Sequence, residues 1–334
     1  MEKDKKQNLE TVKFMDFCAG IGAGRLGLEK AGHLCVGFSE IDKHAEKTYR
    51  KFFGENEINH GDLMKIDTNT LPDFQLMIAG FPCQSFSIMG QRKGIQDERG
   101  QIIFGLIRIM LAKDVKYFIL ENVKGLVHHD KGNSLRVILS ELDNAGYKVS
   151  YRVLNSIDYG VPQMRERIYF VGVKKDLVPA DFEFEFPASQ KRVSIKQYLR
   201  GLDKFAFDEN SPSYATFIGY LNNKYNKGKY SLDDLLKRDN LIIDTRQSDL
   251  RLYEDKIPTL RTGRHGILYV KNGKLKKLSG YESILLQGFT PDYAKKVENE
   301  FEESHILRQT GNAMTASVIE AIAKKLFDDL KKIK

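Results

Sequence analysis

The stretch VKFMDFCAGIGAGRLGLEKAG, residues 12–32, is an apolar run too short for a helix, a glycine-rich turn and then a helix-like segment. Within it Gly22-Ala23-Gly24-Arg25-Leu26-Gly27 satisfies the pattern G-x-G-x-x-G. Glycines at such a point let the backbone approach a ligand where a strand hands over to a helix. Read alone, the motif fits a nicotinamide cofactor, S-adenosylmethionine, or nothing more than tight strand-to-helix packing.

The same alternation continues along the chain. HLCVGFSE is followed by DKHAEKTYRKFF, QLMIAG by GQIIFGLIRIMLA and YFILEN by SLRVILSELDNAG, before KVSYRVLN and RIYFVGV close the series near Val173. Short apolar runs alternating with amphipathic helices mean βαβ units. The expected fold class is therefore α/β: a doubly wound, mostly parallel sheet with helices on both faces. KVSYRVLN and RIYFVGV are expected to pair antiparallel at one edge. After Pro187 the rhythm fails, and a second, smaller domain is expected there. In the closing stretch TASVIEAIAKKLFDDLKK, the residues Val318, Ile319, Ile322, Ala323 and Leu326 recur at helical spacing and should pack back on the first domain. The expected partition is 1–187 with 271–334 for the first domain and 188–270 for the second.

Bulk properties narrow the class of partner. The chain has 334 residues, more than one domain usually holds, and its formal net charge of +8 suits a polyanionic partner as well as a merely basic surface. Three cysteines, Cys18, Cys35 and Cys83, without Cys-x-x-Cys spacing argue against a disulfide framework or a zinc cluster, so a reducing compartment is expected. The opening MEKDKKQNLE is charged and leads into a strand, not into an apolar signal core. No run approaches the ~18 apolar residues of a membrane span. A soluble, cytoplasmic, monomeric protein without a membrane association or a bound metal is expected. The pair His128 and His129 with Asp130 reads as polar surface.

Three further clusters carry chemistry. GFPCQSFSIMG, residues 80–90, puts Cys83 just beyond an apolar strand, at the rim where open α/β sheets bind their ligands. A nucleophilic thiol needs partial exposure and help toward the thiolate from an intrinsic pKa of ~8.5, which backbone N–H groups can give; an unreactive loop thiol is the alternative. YFILENVKG ends another strand on Glu121 and Asn122. A carboxyl there, against low-dielectric walls, is expected to have a raised pKa and so to donate as well as accept a proton; helix capping is the commoner use of a strand-end acid. In QMRERIYFVG, an extended chain would point Gln163, Arg165 and Arg167 to one side, where two guanidiniums can grip phosphate or a carbonyl oxygen. A surface strand of alternating charge would look the same. The second strand of the series ends at Glu40, placed to accept hydrogen bonds from ribose hydroxyls.

The ordered set DFCAGIGAG, Glu40, His60-Gly61-Asp62, GFPCQSFS, ENVKG, QMRERIYFVG and QTGNAMTASV resembles the cytosine-5 DNA methyltransferases, and among them the small bacterial restriction-modification type. The likeness covers the chain except from about Ala188 to Leu241. It implies a Rossmann-like S-adenosylmethionine-dependent methyltransferase fold with a target-recognition domain. It further implies that Cys83 is the nucleophile, that Glu121 activates a flipped-out base, and that Arg165 and Arg167 line its pocket, with Arg167 on the base's O2. For the cofactor, S-adenosylmethionine, the resemblance implies Cys18, Gly20, Gly22, Glu40, Ile41, Asp62, Pro82 and Asn312. Gln84, Ser85 and Ser87 are implied DNA contacts, in a loop from Gln84 to Gly100 that resembles a lid over the base. Two positions depart from the family: Cys18 stands where phenylalanine is usual, and Ala23 where a second adjacent glycine is usual.

Double-stranded DNA is the implied partner, with a cognate restriction endonuclease acting on the same site without direct contact. Sequence reading is expected from the variable region, whose Arg246, Gln247, Ser248, Arg251, Arg261 and Arg264 suit base edges in the major groove, or phosphates. The rival readings are a cytosine methyltransferase acting on RNA, a nicotinamide dehydrogenase, and a DNA-binding module without activity.

Overall fold

The six strands forecast by the apolar runs form in order, β1 (Lys13–Phe17), β2 (Leu34–Ser39), β3 (Leu76–Gly80), β4 (Tyr117–Val123), β5 (Tyr147–Asn155) and β7 (Glu166–Lys174), and a two-residue strand not forecast, β6 (Gln163–Met164), precedes the last. The structure, a computed structural model, describes residues 11–82, 102–247, 249–263 and 266–333. Six of these strands make one sheet in the order β2-β1-β3-β4-β7-β5. β1 runs parallel to β2 and β3, and β3 to β4, while β7 is antiparallel to β4. The sheet is thus mostly parallel. β5 and β7 are neighbours at one edge, as expected.

Helices α1 (Ala23–Lys30), α2 (Lys43–Phe53), α3 (Ile102–Ala112) and α4 (Asn133–Asn144) fill the crossovers, and a long helix, Ala316–Ile333, comes last. Strand alternation sends neighbouring residues to opposite faces. Met77 and Ala79 join the core with Ile103, Leu106 and Met110 of α3 and Ile138 and Leu142 of α4. Ile78, between them, faces α1, where a Cβ on Gly24 would lie 3.1 Å from its side chain. Gly27 has no room either: its Cβ would sit 2.6 Å from the Ala316 carbonyl and from Ile319. The glycine motif therefore serves close packing of α1 under the C-terminal helix as well as the turn before it.

Packing divides the chain into two units. The first takes residues 1–154, 166–188 and 314–334, and the second takes 155–165 and 189–313. This is a division by contacts, independent of a division by task that gives 188–270 to target recognition. The second unit has β8 (Ile242–Asp244), β9 (Arg251–Tyr253), β10 (Ile257–Pro258), β11 (Ile267–Lys271) and β12 (Lys274–Lys277). Its antiparallel sheet runs β12-β11-β8-β9, and β10 pairs in parallel with β6. A core of Phe207, Phe217, Leu221, Ile243, Leu268 and Val270 supports it.

His33, just after α1, is buried against Phe327 of the C-terminal helix with ring centroids 4.3 Å apart. Neither ring nitrogen has a hydrogen-bond partner, and burial lowers its pKa from 6.5 to about 4. The folded protein then binds fewer protons than the unfolded chain, so this contribution is complete above pH 6.5 and is lost as pH falls toward 4. Wild type should lose roughly 2 kcal/mol between pH 8 and pH 5 that His33→Phe does not lose. Denaturant titration of both proteins at the two pH values checks this; equal pH slopes would refute it.

Candidate active site

The strand order places a topological switch between β1 and β3, since the chain leaves β1 toward β2 and β3 toward β4. In such sheets the crevice beyond the strand C-termini is the ligand site. Register aligns those ends: Phe17 pairs with Ser39 and with Ala79, and Gly80 pairs with Glu121. Residues 18–22, 40–42, 81–82 and 121–123 therefore emerge on one rim.

At the β1 end the backbone turns left-handed at Cys18, Gly20 and Gly22, with φ of 51°, 56° and 82°. A Cβ on Gly22 would strike the Phe53 ring at 2.3 Å, whereas one on Gly20 would meet nothing within 4 Å. Gly20 thus borders open space. Its N–H donates to Glu40 Oε2 at 2.7 Å, while Glu40 Oε1 accepts from the N–H groups of Ile41 and Asp42, both at 2.8 Å. Among the described residues this leaves one lone pair, on Oε2, for a further donor. Ile41 beside it is 68% exposed, an apolar side chain held out at the rim. Asp62, exposed in part, accepts from Met64 N–H at 3.0 Å.

Asn59, which the sequence reading passed over, fixes these acids relative to each other. Its Oδ1 accepts from Glu40 N–H at 3.0 Å and from Gly61 N–H at 2.9 Å, and its Nδ2 donates to the Glu40 carbonyl at 3.0 Å. The signal was its place directly before His60-Gly61-Asp62. Burial, helped by the carboxylates of Glu40, Asp16 and Asp62, pushes the Cys18 thiol up to about 12. Burial does the same to Cys35, also to about 12. Both thiols stay protonated and unreactive near neutral pH.

On β4, Glu121 is 7% exposed and its Oε1 lies 3.1 Å from Arg167 Nε on β7. The expectation for this carboxyl weighed burial alone; the structure adds a cation beside it. The neighbouring Asn122 is fully buried, donates from Nδ2 to the Phe81 carbonyl at 2.9 Å and accepts from Val123 N–H at 2.8 Å. It ties the end of β4 to the start of the Phe81-Pro82 segment. Cys83, Gln84, Ser85, Ser87, Ser248 and Arg264 lie outside the described residues.

Arg165 departs from expectation. It does not continue an extended strand with Gln163 and Arg167, because its N–H donates to the Gln163 carbonyl at 3.0 Å, closing a three-residue turn that breaks the two-residue period. Arg165 is 1% exposed, and its guanidinium donates to the carbonyls of Leu260 (3.1 Å), Gly311 (3.2 Å) and Ala313 (2.6 Å). Arg246, expected to read DNA, is likewise engaged internally, with two contacts of 2.7 Å to Asp244 and one of 2.8 Å to the Thr259 carbonyl. Gln247, Arg251 and Arg261 are exposed, as is Asn312. Among the described residues no group of three or more His, Cys, Asp and Glu is arranged to hold a metal, and no helix is long and apolar enough to cross a membrane.

The family model described as C-5 cytosine-specific DNA methylase matches residues 12–328. The chain is 38% identical to the type II methyltransferase M.BsuFI of Bacillus subtilis over 329 residues, covering 96% of this chain and 73% of the relative. It is 32% identical to the type II methyltransferase M.HhaI of Haemophilus parahaemolyticus over 345 aligned residues, 98% and 97% of the two chains. Among solved structures, the S. pombe Dnmt2 methyltransferase superposes with a TM-score of 0.68 over 96% of this chain and 99% of that one, at 17% identity, a likeness of fold.

Proposed function

Because the chain belongs to the C-5 cytosine-specific DNA methylases, and so is a DNA (cytosine-5) methyltransferase, we propose that it flips a cytosine out of duplex DNA and methylates it with S-adenosylmethionine. The observation that carries this reading is the common rim on which the glycine turn, Glu40 and the Glu121–Arg167 pair all end.

Carbon 5 of cytosine is a weak nucleophile in an electron-poor ring. The Cys83 thiolate adds to carbon 6, forming a C–S bond and moving an electron pair toward carbon 5, while Glu121 holds a proton at N3 and accepts from the exocyclic amine. Arg167, held beside Glu121, takes O2. The remaining lone pair of Glu40 Oε2 suits a ribose hydroxyl, Ile41 offers an apolar face for adenine, Asp62 accepts from its amine, and the open side of Gly20 admits the methionine part. Cys18, Gly22 and Pro82 complete this pocket, and Asn312 is assigned to the cofactor from the family resemblance. When bound, S-adenosylmethionine supplies an electrophilic methyl group to carbon 5. A water molecule then takes the carbon 5 proton, the C–S electron pair leaves with the Cys83 thiolate as the aromatic ring is restored, and the N3 proton returns to Glu121.

Residues 188–270 are assigned to target recognition, with Gln247, Ser248, Arg251, Arg261 and Arg264 as readers and Gln84, Ser85 and Ser87 as contacts beside the base. Arg246 is better assigned to bracing, since its guanidinium is already held. The relatives' names favour protection of host DNA alongside a restriction endonuclease. Bisulfite sequencing of plasmid from cells expressing the protein should show 5-methylcytosine at one short sequence, and purified protein should transfer methyl from S-adenosylmethionine to that duplex and not to tRNA. Unmethylated plasmid with an active tRNA reaction would overturn the reading.

A further inference from the structure

Arg165 belongs with a set of contacts rather than with a pocket. The segment Gln163-Met164-Arg165 holds Leu260 by both polar groups of its backbone: Gln163 Oε1 accepts from Leu260 N–H at 3.0 Å, and Arg165 donates to the Leu260 carbonyl at 3.1 Å. Thr259 Oγ1 adds a 2.6 Å bond to the Met164 carbonyl, and Gln163 Nε2 reaches the Leu286 carbonyl at 2.9 Å. The other guanidinium nitrogen of Arg165 spans the carbonyls of Gly311 and Ala313 at 3.2 and 2.6 Å, one on either side of Asn312. The two clasped segments also touch directly. A Cβ on Gly311 would fall 2.4 Å from the Thr262 nitrogen and 2.5 Å from the Arg261 carbonyl carbon, so only glycine lets these backbones meet.

We propose that Arg165 is a positioning residue that clasps the segment carrying Arg261 to the segment carrying Asn312, and so sets DNA discrimination and cofactor retention together. A planar, forked cation can serve three carbonyls in fixed directions, which a lysine ammonium cannot reproduce. Burial makes the arrangement all or none, because a displaced guanidinium or carbonyl would be left unpaired away from water. A ligand that orders one segment then orders the other, and linkage makes the effect reciprocal: cognate DNA tightens cofactor binding as much as cofactor tightens cognate DNA binding.

This inference rests on the assignment of Arg261 to DNA and Asn312 to the cofactor. It is tested with R165K and G311A, each checked for a cooperative melt. Calorimetry with S-adenosylmethionine, alone and with the methylated-site duplex, is set beside methylation of that duplex and of a copy with one flanking base pair changed. R165K should weaken cofactor binding and reduce discrimination between the duplexes, each by about tenfold, the range of a lost supporting contact. G311A should do both with Arg165 intact. R167K should lower kcat while leaving cofactor affinity and discrimination as in wild type. If R165K lowers kcat alone, Arg165 acts on the base and the proposal fails; if R165K or G311A shifts one property without the other, the clasp does not link them and it fails as well. Where R165K does not melt cooperatively, G311A decides. Wild type that binds no S-adenosylmethionine, or methylates both duplexes alike, would instead remove the functional reading beneath it.

Discussion

Cys83→Ser is expected to lower methyl transfer by on the order of 10⁴-fold or more, because a hydroxyl is not ionised near neutral pH and cannot add to carbon 6. The other two cysteines offer no substitute, since burial holds the thiols of Cys18 and Cys35 protonated, at about 12. Binding of S-adenosylmethionine should persist, as none of its proposed contacts is made by the Cys83 thiol. Wild type should also form a covalent adduct with duplex carrying 5-fluorocytosine, where fluorine blocks loss of the carbon 5 proton, and the serine variant should not. Radiolabelled methyl transfer, adduct gels and cofactor calorimetry read the three outcomes. A variant that turns over at a near-normal rate would dismiss the thiolate mechanism.

Glu121→Gln should lower kcat by roughly 10²- to 10⁴-fold, the usual contribution of a positioned acid–base group. The amide keeps the shape but cannot hold a transferable proton at N3. It also leaves the mostly buried Arg167 guanidinium without its 3.1 Å carboxylate partner, so the melting temperature should fall. Comparing the variant with Arg167→Lys separates these effects. Both changes disturb the ion pair, yet only the loss of the acid should also slow adduct formation with 5-fluorocytosine by the full factor. Unchanged kcat in Glu121→Gln would reduce the pair to a structural tie.

The first unit was legible because its strands are apolar runs separated by amphipathic helices, a pattern that survives in sequence. Even the antiparallel edge followed from the short interval between β5 and β7. Much of the second unit was not, because many of its elements are brief. β8 and β9 have three residues each, and the helix Leu232–Leu236 has five, all too short to show a period. At the site, acids at strand ends could be read directly, since strand register alone brings Glu40 and Glu121 to the rim. Arg165 and Arg246 could not. A guanidinium advertises its donors in sequence but not the acceptors that meet it, and those of Arg165 come from carbonyls 95, 146 and 148 residues away. The turn that closes on the Gln163 carbonyl also reverses the parity of everything before it.

The first unit is stitched from three separated lengths of chain, the last of which begins at Met314. On the ribosome this matters. Gly24 and Gly27 of α1 emerge early, yet Met314, Ala316 and Ile319, which close over them, are nearly three hundred residues behind. Translation must therefore run almost to the C-terminal helix before the sheet receives its cover on that side. A product released early has the glycine turn and the Cys83 segment but an open α1 face, exposed to chaperones and proteases. A chain released before Met314 becomes substrate for quality control, and the sheet is closed on that side only once Ala316 and Ile319 have been made.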